Sequence, residues 1–338
     1  MIVYSVRYNL KTPLLISKPT IGNVIRNEYS YLPGSVIRGA ILKELWLDGY
    51  KDKIKEEMVK PSIIFHPAFP IFEDKIYKPA HALIYKCKIC KKNKYIEKDP
   101  YTINSIEDLE IERFCNNGHP YTLKSIGGKL FNESLLKECK LSYTILTSVG
   151  INRIVKGSEA GLLYSYIALE PNNSFEGLIV VDDNRYNIDK INTVFLGKGS
   201  SRGFGEVELK IKEVDYYKIR EDKLNDIINK SNTNKLVLKA ITPLFNITYS
   251  ENGLINDNNF DLDRFGLKYN FSLVSSTSTI SGFSIYSNIP KISLTGIKEG
   301  SLLYAHKTAS TNIDKLVEME LKGIGPFASN GFNIVEVI

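Results

Sequence analysis

The sequence predicts an α+β protein made of two ferredoxin-like (RRM-like) units in tandem, and three observations carry that expectation. TPLL (12–15) recurs as TPLF (242–245). The glycine-rich stretch GKGSSRGFGEVEL (197–209) is echoed by GIGPFASNGFNIVEV (323–337). Each TPL segment follows a strand-like run and each glycine loop feeds another. Each half therefore opens and closes on a strand, as two copies of a βαββαβ unit would.

Residues 2–10 alternate, with Ile2, Tyr4, Val6, Tyr8 and Leu10 on one face and Val3, Ser5, Arg7 and Asn9 on the other, the period of a strand. YLPGSVIRGAILKELW (31–46) changes to helical spacing and stacks Ile37, Ile41 and Leu45 at i, i+4. Ser35 stands where an N-cap belongs. The stretch from 86 to about 140 has no sustained period and reads as an insertion. Regular structure resumes with SYTILTSV, LYSYIAL and FEGLIVV, and NKSNTNK (229–235) is a composition break that reads as a linker. The expected units are 1–228, with the insertion inside it, and a more degenerate 236–338.

The chain has 338 residues, of which 43% are hydrophobic and 24% charged, the composition of a folded protein long enough for one large or two medium domains. No run of about 18 apolar residues occurs, and MIVYSVRYNLKT lacks the apolar core of a signal peptide. A cytoplasmic location is the expectation. Net charge is +6, which permits a polyanionic partner, and KCKICKKNK (86–94) concentrates lysine without any acid.

Four cysteines are too few for a disulfide scaffold. Cys87 and Cys90 form a CxxC, and CNNGH supplies Cys115 and His119. Three thiolates and an imidazole fill the four positions of a structural zinc site and leave none for water. The other reading is buried thiols with a surface histidine. Cys139 is left over as a plain reduced thiol.

In the first glycine loop, Gly197, Gly199, Gly203 and Gly205 supply positive-φ positions and close backbone approach, as an anion-binding nest requires. Lys198 and Arg202 add charge, and Ser200 and Ser201 add hydroxyl donors. The spacing is neither GxGxxG at a strand-to-helix turn nor GxxxxGK[ST], so nucleotide-cofactor readings lack their context. A plain glycine-rich hairpin remains open. PGSVIRGA places Gly34 and Ser35 at a helix N-terminus with Arg38 one turn in, either a phosphate seat or simple capping. The four histidines, His66, His81, His119 and His306, fall in no Ser/His/Asp or HExxH pattern. His66 reads as a satisfied core residue, and His306 beside Lys307 is the one candidate acid or base.

In order along the chain, YLPGSVIRGA, FHPAFP, KPAHALIYK, the Cys/His knuckle, AGLLYSYIALEPNNSFEG, LGKGSSRGFG, SGFSIYSNIPK, KEGSLLY and LKGIGPFASNGF resemble RAMP proteins, the RRM-like subunits of CRISPR ribonucleoproteins. The combination is similar to the fused two-RAMP-domain subunit of type III-D effectors. That resemblance implies a non-catalytic subunit that grips the 5′ handle of the crRNA and caps one end of the complex. Its partners would be the large polymerase-type subunit and neighbouring RAMP backbone subunits, with target RNA met only indirectly.

The resemblance further implies RNA contacts at Gly34, Ser35 and Arg38, at Gly197, Lys198, Gly199, Ser200, Ser201 and Arg202, and at Arg153 and Lys156 of GINRIVKGSEAG. Tyr164 and Tyr166 are candidate stacking rings. The second glycine loop has no Lys or Arg and a proline replaces one donor, so it is expected to be structural or to contact protein. Two alternatives stand: a RAMP endoribonuclease, and a zinc-ribbon subunit that binds only proteins. Target-cleaving RAMP subunits use an aspartate on an early loop, whereas here no Asp precedes Asp48 and no His precedes His66. The protein-binding alternative leaves Lys198 and Arg202 unexplained. Trp46 and SIYSNIP are candidates for subunit contacts.

Overall fold

The computed structural model describes residues 1–17, 29–90, 95–105, 115, 117–119, 123–152, 157–182, 186–230, 234–250, 253–257, 260–284 and 289–338. Strand Ile2–Leu10 is central to a seven-stranded sheet, paired antiparallel with Glu206–Glu213 on one side and Ser174–Val181 on the other. Thr193–Phe195 extends the first edge, and Ile63–Phe65, Phe69–Phe72 and Lys75–Ile76 extend the second. A four-stranded sheet in the second half runs Leu267–Leu273, Leu302–Lys307, Lys235–Ala240, Val335–Val337. In both sheets the opening strand of the half lies beside its closing strand.

The alternation of the first strand sorts its side chains between two cores. Tyr4, Val6, Tyr8 and Leu10 pack with Ile37, Ile41 and Leu45 of helix α1 (Gly34–Leu47). Val3 and Val180, on the opposite face, join the core of the second half with Leu316, Val317 and Met319 of helix α4 (Ile313–Lys322). Helix α2 (Lys51–Val59) is tied to α1 by Arg38, whose guanidinium meets the Glu57 carboxylate at 3.1 Å and donates to the Glu57 carbonyl at 3.0 Å. Helix α3 (Tyr216–Lys230) is locked to α4 by a two-pronged Arg220–Glu320 pair at 2.8 and 2.6 Å. Of the stretch 229–235, Asn229 and Lys230 close α3 and Lys235 opens the next strand.

Two sequence expectations change. Ser35 is not the N-cap of α1: Pro33 takes that place with extended backbone and no side-chain cap, and Ser35 lies exposed inside the first turn. The insertion is not irregular throughout. Its short strands include Tyr95–Glu97, Leu123–Ser125, Leu130–Asn132 and Lys137–Glu138, which complete two three-stranded sheets with Lys78–Pro79 and Ile84–Cys87. Strands of two to four residues end before a period of two can register.

The internal repeat persists in the hydrogen bonds. In the first half the Thr12 hydroxyl accepts the Glu206 N–H at 2.9 Å, the Pro13 carbonyl accepts Gly205 N–H at 3.0 Å, and Leu14 bridges Leu169. In the second half the Thr242 hydroxyl accepts the Ile334 N–H at 3.0 Å, the Pro243 carbonyl accepts Asn333 N–H at 3.1 Å, and Leu244 bridges Ile297. Each TPL segment is thus the cradle of its own glycine loop.

The halves meet backbone to backbone. A Cβ on Gly34 would fall 2.0 Å from the Phe65 carbonyl oxygen and 2.7 Å from the Gly331 Cα. A Cβ on Gly331 would fall 2.5 Å from that same oxygen. A second such contact joins insertion to second half, where a Cβ on Gly300 would lie 2.3 Å from the Gly128 nitrogen. His66 adds a directional link, its Nε2 2.8 Å from the Leu321 carbonyl in a buried setting that holds its pKa down to about 4, chiefly by desolvation.

Gly34→Ala is expected to lower stability by about 1–3 kcal/mol through overpacking. Gly39→Ala, in the same helix with nothing within 4 Å of its added methyl, is expected to be neutral or stabilising. Equal urea midpoints for the two variants would rule out a tight joint at Gly34. His66 is held neutral, so its contribution to stability is present above the ordinary histidine range near 6.5 and is lost as pH falls from there towards about 4. Wild type is therefore expected to lose stability across that window faster than His66→Gln; parallel pH profiles would contradict this.

Candidate nucleic-acid interface and metal centre

The first glycine loop follows strand Thr193–Phe195 and precedes Glu206–Glu213 at one edge of the large sheet. All four glycines have positive φ, between 72° and 82°. Gly197 also needs its missing side chain, since a Cβ would lie 2.3 Å from the Leu15 carbonyl oxygen. The Lys198 N–H donates to that carbonyl at 3.0 Å, and Ser200–Arg202 form one 3-10 turn. Lys198, Ser200, Ser201 and Arg202 are all exposed, and among the described residues no carboxylate pairs with Lys198 or Arg202.

The Arg202 guanidinium lies 5.5 Å from the Tyr166 ring centre and 5.6 Å from that of Phe204. Tyr166 reaches it from the two-stranded ribbon Tyr143–Asn152 and Gly157–Leu169. Phe204 escapes a sequence reading because it looks like a spacer between Gly203 and Gly205.

The second loop shares the 3-10 turn and differs in chemistry. Gly203 N–H donates to Ser200 and Phe204 N–H to Gly199; in the second half Gly331 N–H donates to Ala328 and Phe332 N–H to Phe327. Lys198 thereby corresponds to Pro326, Ser200 to Ala328 and Arg202 to Asn330. Pro326 has no N–H to give, and the Asn333 side chain takes over, donating to the Phe245 carbonyl at 2.9 Å and accepting the Phe245 N–H at 2.6 Å. This loop packs against Gly34 and Phe65, with Ala328 and Asn333 buried.

That contact changes the expectation at the PGS motif. Gly34 is consumed by the joint, and Arg38 is 9% exposed and committed to Glu57. Ser35 alone of the three faces solvent. Arg153 and Lys156 lie outside the described residues, as do Lys91, Lys92, Lys94, much of SIYSNIP and the Tyr164 side chain. His306 is exposed on strand Leu302–Lys307. Trp46 packs partly buried against the first core.

Cys87, Cys90, Cys115 and His119 converge, their ligand atoms all within 4.8 Å of one another. Cys90 and Cys115 sulfurs are 3.8 Å apart, and His119 Nδ1 lies 3.7, 3.5 and 3.3 Å from Cys87, Cys90 and Cys115. A tetrahedral ion with metal–sulfur bonds of about 2.3 Å and a metal–nitrogen bond of about 2.0 Å sets such edges at about 3.8 and 3.5 Å. Asn117 donates its backbone N–H to the Cys115 sulfur at 3.4 Å and its side-chain amide to the Cys90 sulfur at 3.2 Å, the kind of outer support that fixes thiolate ligands. Cys139 stands apart, and burial pushes its thiol up to about 12, so it stays protonated at neutral pH.

No family model matches the sequence, and no curated protein matches it. Among solved structures, a chain of the type III-B Cmr-beta complex bound to cognate target RNA and AMPPnP is similar over 89% of this chain and 86% of its own, at 15% identity and a TM-score of 0.51. A chain of that complex bound to cognate target RNA aligns over the same shares at 16% identity and a TM-score of 0.49. A RAMP protein binding different RNA substrates aligns over 100% of both chains at 10% identity and a TM-score of 0.38. At these identities the first likeness is one of fold. Among the described residues no helix is long and apolar enough to cross a membrane.

The four converging ligands predict one divalent metal ion per chain by elemental analysis of protein purified without chelator. Cys87→Ser with Cys90→Ser should abolish it and increase proteolysis within 86–120, because so small an insertion depends on the metal for its fold. Metal-free wild-type protein would refute the site.

Proposed function

We propose that the protein is a RAMP-superfamily, non-catalytic RNA-binding subunit of a type III CRISPR ribonucleoprotein, holding the 5′ handle of the crRNA and capping one end of the assembly. The observation that carries this reading is the asymmetry of the two glycine loops. One 3-10 turn occurs twice with the same hydrogen bonds, and only the first copy carries cations, Lys198 and Arg202, which no carboxylate among the described residues neutralises. Positive-φ glycines, Lys198 and the Ser200 and Ser201 hydroxyls suit phosphate oxygens.

The strand order supports two ferredoxin-like RAMP units, each reduced by one helix among the described residues. The first keeps the helix after its opening strand, α1, and the second keeps the helix before its closing strand, α4. The fold shared with a chain of the Cmr-beta complex points the same way, and the partners we propose are the crRNA, the polymerase-type subunit and adjoining RAMP subunits. Zinc is the metal we assign to the knuckle, since three thiolates and an imidazole suit its tetrahedral preference. We place the protein in the cytoplasm.

The test is binding of labelled RNA carrying a repeat-derived 5′ handle beside a scrambled control, read on native and denaturing gels. A handle-dependent shift with intact RNA is expected. Lys198→Ala should weaken it and reduce the log–log salt slope by about 0.7, the worth of one phosphate contact on a single strand. Cleavage that disappears in His306→Ala would replace this reading with the endoribonuclease, and an unchanged slope would remove Lys198 from the interface.

A further inference from the structure

The phosphate reading gives Arg202 the same task as Lys198, but its surroundings differ. Among the described residues no ring or carboxylate meets Lys198, whereas the Arg202 guanidinium lies within 5.6 Å of two ring centres, Tyr166 from the ribbon and Phe204 from the loop itself. Gly199 makes this possible: a Cβ there would come 2.8 Å from the Phe204 ring and 3.4 Å from an Arg202 terminal nitrogen. The bare glycine is the floor over which ring and guanidinium fold. In the second loop Phe327 replaces this glycine, Asn330 replaces the arginine, and Phe332 turns onto Phe245, ring centres 5.9 Å apart and edge to face. Phe332 is thus spent on another ring of the protein, whereas Phe204 positions an exposed arginine.

A guanidinium steadied by aromatic rings presents a flat, weakly hydrated, cationic surface, the kind on which an unpaired base stacks. We propose that Arg202, backed by Tyr166 and Phe204, is a stacking shelf for a single unpaired nucleobase, next to the phosphate held by Lys198 and the serine hydroxyls. This rests on the RNA-binding reading above and deepens it. The shelf offers a π-surface and charge without a pattern of donors and acceptors for base edges, so it tolerates any base and favours purines by area. The loop would thus fix one nucleotide by its two chemically distinct parts.

Charge and planarity separate under Arg202→Lys, which keeps the cation and loses the plane. The probe is the handle RNA with 2-aminopurine, or an abasic residue, at each position in turn. Wild type is expected to change the 2-aminopurine fluorescence at one position most strongly and to lose on the order of 10-fold affinity when that position is abasic. Arg202→Lys should lose a similar factor on intact RNA, keep the wild-type salt slope, and show no further loss on the abasic RNA. Tyr166→Leu should follow the same pattern more weakly.

If Arg202→Lys binds like wild type while Arg202→Ala lowers the salt slope by about 0.7, Arg202 holds a phosphate and the shelf is wrong, with the RNA-binding reading intact. Absence of handle binding by the wild-type chain would overturn both.

Discussion

The approach of two backbones at Gly34 and Gly331 is the constraint on which the rest of the molecule depends. Neither position has room for one methyl group, because the Phe65 carbonyl oxygen and the opposite glycine fill the space a Cβ would need. The contact seats the second glycine loop on the N-terminus of α1 and orients one half against the other. It also decides which parts of the PGS motif face solvent. A glycine that reads as an open anion seat is closed by its own chain.

From that joint follows the division of labour between the loops. Both are held by a threonine hydroxyl and a proline carbonyl of a TPL segment, and both close through the same 3-10 turn. The second copy packs Gly331 on Gly34 and Phe65 and buries Ala328 and Asn333, while Pro326 and Phe327 stay exposed. Proline, alanine and asparagine stand there, and the Asn333 side chain makes the hydrogen bond that the Lys198 backbone makes in the first copy. Asparagine also tolerates the left-handed backbone it adopts at φ 59°. Exposure left the first copy free to keep a lysine, two hydroxyls and an arginine set against rings.

The insertion is joined to this frame, not merely tethered. Gly128 packs on Gly300, and the buried Lys235 ammonium donates to the carbonyls of Tyr101 and Ile103 at 2.6 and 2.7 Å and to the Asn104 side chain at 3.2 Å. A buried ammonium is tolerable only when such oxygens replace its water. The Cys/His knuckle closes the outer part of the same segment, where strands of three residues enclose little apolar surface.

Much of this was legible before any coordinates. The alternation of residues 2–10, the i, i+4 stack at Ile37, Ile41 and Leu45 and the repeated TPL and glycine segments are local patterns that covalent geometry converts directly into a strand, a helix and loops, and the two Cys/His pairs carry a known metal spacing. The lack of Lys and Arg already marked the second glycine loop for protein contact; what the sequence could not state is that it would dock on Gly34 and Phe65, since that belongs to the packing of distant segments. Arg38 looked like an anion ligand and became a buried partner of Glu57; Phe204 carried no reading from the sequence and became a wall beside Arg202. Sequence determined the elements and the chemical groups they carry. Only the tertiary structure, by pressing Gly331 onto Gly34 and leaving Arg202 uncovered, decided which of those groups remain available to bind, because availability depends on what the rest of the chain leaves unburied.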